Sequence, residues 1–337
     1  MTTFKEIRGT AIESVSSDPS NPEVGQIWYN NTIGVLKGYK SIGAAWSSGG
    51  NLNTSRNVLG GTGIQTAGLA FGGAPPSALN TTATEEYDGS AWTAGGNLNT
   101  ARTALNGAGT QTAALGFGGY IDPPSPISGN SNATEEYDGS AWAVGGNLGT
   151  ARYLGSRAGT QTAGLYVGGA TFPTPLTRNS TEEYNGSAWT AGGNLNTGRR
   201  GLNGDGTQTA AVAFGGRLSD SLTNIQNATE KYDGTSWTSS GNLNTARFQL
   251  GGTGTQTAAI AFGGAVATTG ATQSISELYN GTSWTSGPTM TFVQQLMGSG
   301  GTQTSNFSAG GGNGASPLST TQEYNDPSFG VQKITTS

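Results

Sequence analysis

One phrase returns along the chain with little change. Residues 106–119 read NGAGTQTAALGFGG, residues 203–216 NGDGTQTAAVAFGG and residues 251–264 GGTGTQTAAIAFGG. Its glutamine stands at Gln65, Gln111, Gln161, Gln208, Gln256 and Gln303, at spacings of 46, 50, 47, 48 and 47. A tryptophan column keeps the same step: Trp46, Trp92, Trp142, Trp189, Trp237 and Trp284. Two columns in register over most of a 337-residue chain leave little freedom of fold. Each unit must bury its apolar face against its neighbours, and periods of about 40–50 residues are those of propeller blades.

The wording inside a unit selects strands over helices. QTAALGFGG is short, apolar and closed by two glycines, and ATEEYDGSAW sets two short runs on either side of an Asp-Gly turn. That dipeptide is a strong hairpin signal. No segment keeps apolar residues at i, i+3 and i+4 over three turns. Four strands per unit follow: one after the Arg of NTAR, one in QTAALGFGG, one at TEEY and one on the Trp. GGNLNT links to the next unit. Four-stranded antiparallel sheets repeated radially make an all-β propeller.

The Gly-Gly closing the second strand, the Tyr of the third, the Trp about five residues later and the Arg ten beyond it together resemble the kelch motif, over roughly residues 47–329. Repeats in this wording behind the opening NPEVGQIWYNNTIGVLKGY also resemble uncharacterised virion or tail-associated proteins of marine tailed phages. That second resemblance implies a virion location and other virion proteins as partners.

Six inner phrases, but seven outer hairpins if Tyr39–Trp46 and Tyr324–Phe329 both count, predict seven blades; six blades plus a separate N-terminal hairpin is the alternative. In the seven-blade reading, residues 1–22 are an N-terminal arm that docks on other virion proteins, and residues 23–337 are the propeller. Residues 23–46 then give the outer strands of the closing blade, 47–329 six repeats, and 330–337 (GVQKITTS) its inner strand. Such closure removes exposed sheet edges.

Composition excludes several functions. There is no Cys and no His, so disulfides, thiolate or imidazole metal sites and imidazole general bases are ruled out, and no cofactor is expected. Net charge is −5 with no Lys/Arg cluster, which argues against nucleic acid. No apolar run nears the ~20 residues of a membrane helix, and the start lacks the apolar core of a signal peptide.

Residues present in every unit are best explained by the unit itself. The Trp column, with Leu98, Leu195 and Leu243, is expected to pack between neighbouring sheets. Arg56, Arg102, Arg152, Arg199 and Arg247 are expected to bond backbone carbonyls at blade junctions rather than form an anion-binding ring. The acid pairs Glu85–Glu86, Glu135–Glu136 and Glu182–Glu183 point to opposite faces of a strand, so they cannot form one acid–base site. They read as solvated strand residues. Gly118 and Gly119 are expected at dihedrals other residues resist.

Function is expected where the units differ. The segments between Gly-Gly and the third strand vary most and emerge on one face with the links between blades, as binding surfaces of repeat proteins often do. Tyr120, Asp122, Phe172, Arg178, Arg217 and Asp220 lie there and belong to no column. They are the candidate ligand-binding residues, for a host-surface glycan or protein. The expected function is non-enzymatic: a virion structural or host-attachment protein. The alternatives are a glycan-active hydrolase on the same fold and an intracellular kelch-like adaptor.

Overall fold

The computed structural model describes residues 12–20, 22, 26–40, 43–76, 79–122, 129–172, 176–266, 271–326 and 330–334. Among them there is no α-helix, and the one helical turn is the 3-10 turn Leu222–Asn224. The chain divides into two units, Ala45–Asn325 and a smaller one formed by residues 1–44 with 326–337.

The larger unit is a closed ring of six four-stranded antiparallel blades. From axis to rim, blade 1 is Gly60–Ile64, Ala67–Phe71, Thr84–Tyr87 and Trp92–Ala94. Blades 2 to 5 repeat this order from Asn106–Gly109, Ser156–Thr160, Asn203–Thr207 and Gly251–Thr255. Blade 6 takes Gly298–Gly301, Ser305–Ala309 and Thr321–Asn325 from the end of the ring sequence, and its rim strand, Ala45–Gly49, from the start. The six innermost strands contact one another in order, Gly298–Gly301 against Gly60–Ile64 included.

The prediction of seven blades is therefore corrected to six. Its seven outer hairpins counted one twice. In blade 1 Tyr87 stands opposite Trp92 within a hairpin, and in blade 6 Tyr324 stands opposite Trp46 from the other end of the ring. Pairing first strand with last completes the sixth blade and closes the ring, leaving only the short rim strands as edges.

In blades 1 to 4 three kinds of tie hold each blade to the one before it; blade 5 replaces the glutamate by Ser240 as partner of its tyrosine, and blade 6 keeps the glutamine tie of Gln303. Gln111 Nε2 donates to Gly68 O at 3.0 Å and Tyr87 O at 2.8 Å, so the repeated glutamine caps carbonyls of the preceding blade. Trp142 Nε1 donates to Thr84 Oγ1 at 3.0 Å. The Tyr137 hydroxyl donates to Glu86 Oε1 at 2.5 Å. The same ties join blade 1 to blade 6: Gln65 to Asn306 O and Tyr324 O, Trp92 to Thr321 Oγ1, and Tyr87 to Glu323. Leu98 and Trp142 pack on Phe71, Leu195 and Trp237 on Leu165 and Val167, and Leu243 and Trp284 on Phe214, as the column reading requires.

The paired acids are not solvated, which corrects that expectation. Glu85, Glu135 and Glu182 are buried. Each meets the column arginine of its own blade, with Arg102 Nη2 2.8 Å from Glu135 Oε1. Arg102 Nη1 also donates to Gly118 O and Ala133 O, both at 2.8 Å, so the arginines bond carbonyls as expected but carry an ion pair as well. Asn99 completes the carboxylate through its backbone N at 2.6 Å and its Nδ2 at 2.8 Å, which accounts for the repeated Asn of NLNT. The second acid of each pair faces away and accepts from the next blade's tyrosine, as strand alternation demands. A charge in a core needs such partners, because burial without them costs several kcal/mol.

Blade 6 solves the same problem without charge. Gln294 replaces the arginine, Gln322 the glutamate, and both are fully buried. Gln294 Nε2 donates to Gly310 O at 2.8 Å, and its Oε1 accepts from Gln322 Nε2 at 2.7 Å and Ser308 Oγ at 2.8 Å. Gly118 and Gly119 hold φ of 64° and 102°. A Cβ on either would lie 2.8 Å or less from a backbone carbonyl oxygen, Arg152 O or Thr103 O.

The smaller unit is a sheet in the order Glu13–Val15, Ile27–Asn30, Val35–Lys40 and Gly330–Lys333. The C-terminal segment pairs with the N-terminal hairpin, Tyr39 opposite Val331, but the expectation that this pairing closes the ring is corrected: it belongs to the smaller unit, and Ala45–Gly49 completes the ring instead. Part of the segment read as an arm is built into this sheet. Glu13–Val15 runs parallel to Ile27–Asn30, and Asp18 accepts from Trp28 Nε1, Asn30 Nδ2 and Lys37 Nζ at 3.1, 3.0 and 2.6 Å. Residues 1–11 of the expected arm lie outside the described residues.

Candidate functional site

Each Gly-Gly releases the chain at one end of its blade, and the residue after it bridges the residue that follows the column arginine. Thr103 bridges Tyr120, Tyr153 bridges Ala170, Arg200 bridges Arg217 and Phe248 bridges Ala265. Repeat geometry thus sets the varied segments on one face, each anchored beside the axis.

Two of the six predicted residues meet there, with a third the sequence reading missed. Tyr120 packs edge-to-face on Phe172 from the next blade, with ring centroids 5.7 Å apart, and on Tyr153 at 5.8 Å. Asn130 clamps the pair of segments: its Oδ1 accepts from Phe172 N at 3.0 Å and its Nδ2 donates to Phe172 O at 3.2 Å. Phe172 is 53% exposed, so an aromatic face held by neighbouring rings and a two-point clamp looks into solvent.

Arg217 and Asp220 form a second cluster. Arg217 Nη2 lies 3.2 Å from Asp220 Oδ1, and its guanidinium stacks over Phe248 at 4.6 Å. Buried Arg200 also contacts Asp220, whose side chain remains 63% exposed. Burial, then the Arg200 charge, pulls the Arg217 pKa down, while Asp220 and Tyr153 oppose it. The residues after Arg200 and Tyr153 are bonded, Gly201 N donating to Leu154 O at 2.7 Å, so the two clusters stand on adjacent segments.

The other two predicted residues join neither cluster. Arg178 turns to its own segment, with Nη2 donating to Thr171 Oγ1 at 3.3 Å and its backbone N to Gly169 O at 2.8 Å. Asp122 sits half-buried past the end of strand Tyr120–Ile121, where burial pushes its carboxyl above the ordinary range. Tyr153, Phe248 and Arg200 were missed because they stand beside a column. Their signal is variation: the residue after the arginine is Asn57, Thr103, Tyr153, Arg200 or Phe248.

The axis carries a further feature. Val58, Ala104, Leu154, Gly201, Gln249 and Leu296 all hold φ between 52° and 61°, left-handed values that non-glycine residues rarely adopt. Their amides form a closed ring of hydrogen bonds. Val58 N donates to Leu296 O, Ala104 N to Val58 O, and so on round to Leu296 N on Gln249 O, at 2.6 to 3.2 Å. Beyond it, toward the GTQTA turns, lies a cavity of about 530 Å³. Its walls are the glycines, alanines and threonines of the inner strands and turns, with Arg157 and Asp205 as its charged residues among those described. Four of the six blades carry Gly at the place of Arg157 (Gly61, Gly107, Gly204, Gly252). That lapse in a glycine column is the signal the sequence carries for this residue.

No family model matches the chain, and no curated protein does. Among solved structures it is similar to that of YjhT, with a TM-score of 0.69 and 13% identity over 84% of this chain and 99% of YjhT. Likeness at that identity is one of fold, and with the six closed blades it identifies the chain as a β-propeller.

Proposed function

We propose that this chain is a non-enzymatic attachment protein of a virion appendage, a kelch-like propeller whose varied face binds a host-surface glycan or another virion protein. The observation that supports this most is the Tyr120–Tyr153–Phe172 cluster. Three rings from two blades are fixed against one another, one of them exposed, beside the exposed Asp220 carboxylate and its arginines. A pre-set aromatic platform next to polar groups suits a sugar ring or a polar protein surface, because little ordering entropy remains to be lost. The hydrolase alternative is weakened because the glutamates that suggested it are committed to arginine, asparagine and tyrosine partners. The wording of the repeats and of NPEVGQIWYNNTIGVLKGY supports the virion context.

The test is binding of Phe172→Ala and Tyr120→Ala proteins to host cells and to an array of surface glycans. Each is expected to keep the melting temperature within a few degrees. Each should weaken binding about tenfold or more, since a stacked ring is typically worth ~1–3 kcal/mol. Parent-like binding by the double variant would remove the varied face as the attachment surface.

A further inference from the structure

Arg157 departs from every other buried arginine of the ring. Arg56, Arg102, Arg152, Arg199, Arg200 and Arg247 are buried and each has a carboxylate within 4.0 Å. Arg157 is 8% exposed and has none among the described residues. From the third blade it reaches to the sixth, opposite it across the axis, where its Nη2 donates to Ser299 O at 2.7 Å and Ser299 Oγ at 3.3 Å. Among the described residues nothing accepts from its Nη1 or Nε. A guanidinium has five N–H donors, so three remain unspent.

This side chain lines both the 530 Å³ cavity and a smaller one of about 60 Å³ toward the hydrogen-bonded ring of amides, and so forms the floor of the larger. Asp205, the other charge, is occupied: Oδ2 accepts from Thr253 Oγ1 at 2.7 Å and Gly254 N at 3.1 Å, and Oδ1 from Gly206 N at 2.8 Å. Its field still raises the Arg157 pKa against the dominant lowering by burial. The upper wall is largely apolar, with Ile64, Ala67 and Ala258 among its residues, and exposed turn residues such as Thr110 and Thr255 mark the opening. Volumes of ~300–1,000 Å³ hold small organic ligands.

We propose that this cavity is an internal binding site for a small organic acid, whose carboxylate takes the unspent donors of Arg157 and whose aliphatic end faces Ile64, Ala67 and Ala258. Asp205 acts on Arg157 only through its field, from beyond 4.0 Å, so a carboxylate in direct contact would offset more of the cost of burying the cation. Guanidinium and carboxylate match two-on-two in the plane. The site lies at the end of the inner strands opposite the varied segments and does not depend on the attachment reading.

Calorimetric titration of the full chain with butyrate, and with its uncharged isostere butyramide, tests this. Butyrate is expected to bind and to raise the melting temperature, and butyramide to bind at least about tenfold more weakly, since a hydrogen bond to a charged group is worth ~1.5–3 kcal/mol. Arg157→Gln should lose the preference. Arg157→Lys keeps the charge without the fork and should fall between, and provides a second reading if the glutamine variant folds poorly. Phe172→Ala should bind butyrate as the parent does. Equal affinity for the two probes, no heat with butyrate, unchanged butyrate binding in Arg157→Gln, or its loss in Phe172→Ala would each overturn the proposal.

Discussion

Blade 6 makes a direct experiment available on the buried ion pairs. In blade 4, Arg199 Nη2 lies 2.7 Å from Glu230 Oε1 and its Nη1 donates to Gly215 O and Ala228 O at 2.9 and 2.8 Å. In blade 6 the same places hold Gln294 and Gln322, with Ser308 standing where blade 4 has Ala213. Arg199→Gln alone leaves the Glu230 carboxylate buried with its Asn196 donors but no cation. Breaking a buried pair from one side costs about 3–5 kcal/mol. At ~2–4 °C per kcal/mol for a domain approaching this size, the melting temperature should fall by about 6–20 °C. Adding Glu230→Gln removes the orphaned charge, and Ala213→Ser supplies the third partner seen in blade 6. The triple variant should regain most of the loss and end within about 2 kcal/mol of the parent, the uncertainty being one hydrogen bond or so. Thermal and urea unfolding of the parent, both single variants, the double and the triple give the coupling energy. If the losses simply add, with the triple variant the least stable, then the glutamine arrangement is not an equivalent solution and the reasoning fails.

The tight turns give a pH prediction. Asp233 accepts from Thr235 N, Thr235 Oγ1 and Ser236 N, and the Ser236 and Thr235 bonds lower its pKa from 3.8 to about 2. A depressed pKa contributes stability above the unfolded value that is lost as pH falls through the folded one, so urea midpoints should decline between about pH 4 and pH 2. Asn185 and Asn280 make the same turn uncharged, so Asp233→Asn should fold normally, lower the neutral-pH midpoint slightly and lessen the acid decline, which Asp18, Asp88 and Asp138 share. A protein of residues 45–326 holds all six blades and should melt cooperatively. One starting at residue 50 loses the strand opposite Tyr324 and should expose an edge, aggregate or melt lower. Equal stability of the two would contradict the closure of blade 6 by its N-terminal strand. Trp237→Ala should cost about 3–5 kcal/mol by cavity formation and lose the bond to Thr181 Oγ1, measured as a fall in urea midpoint.

The sequence by itself determined the repeating unit. Period, Gly-Gly, Asp-Gly turn and Tyr–Trp spacing report local geometry, and local geometry recurs wherever the words recur. Strand order within a blade, the packing role of the Trp column and the left-handed glycines were therefore legible. Tertiary structure decided what depends on which units touch. Closure by the strand around Trp46 pairs residues far apart in the chain, and a count of hairpins could not see that Tyr324 and Trp46 make one. Glu85 and Glu86 look alike in sequence. The blade sends one to a buried arginine and the other to a tyrosine of its neighbour. At the candidate site the sequence located the varied face, yet only packing brought Tyr120, Tyr153 and Phe172 together and turned Arg178 aside. Arg157 was visible as an exception in a glycine column. That the exception reaches across the axis, and lacks the carboxylate its six counterparts have, is a property of the closed ring alone.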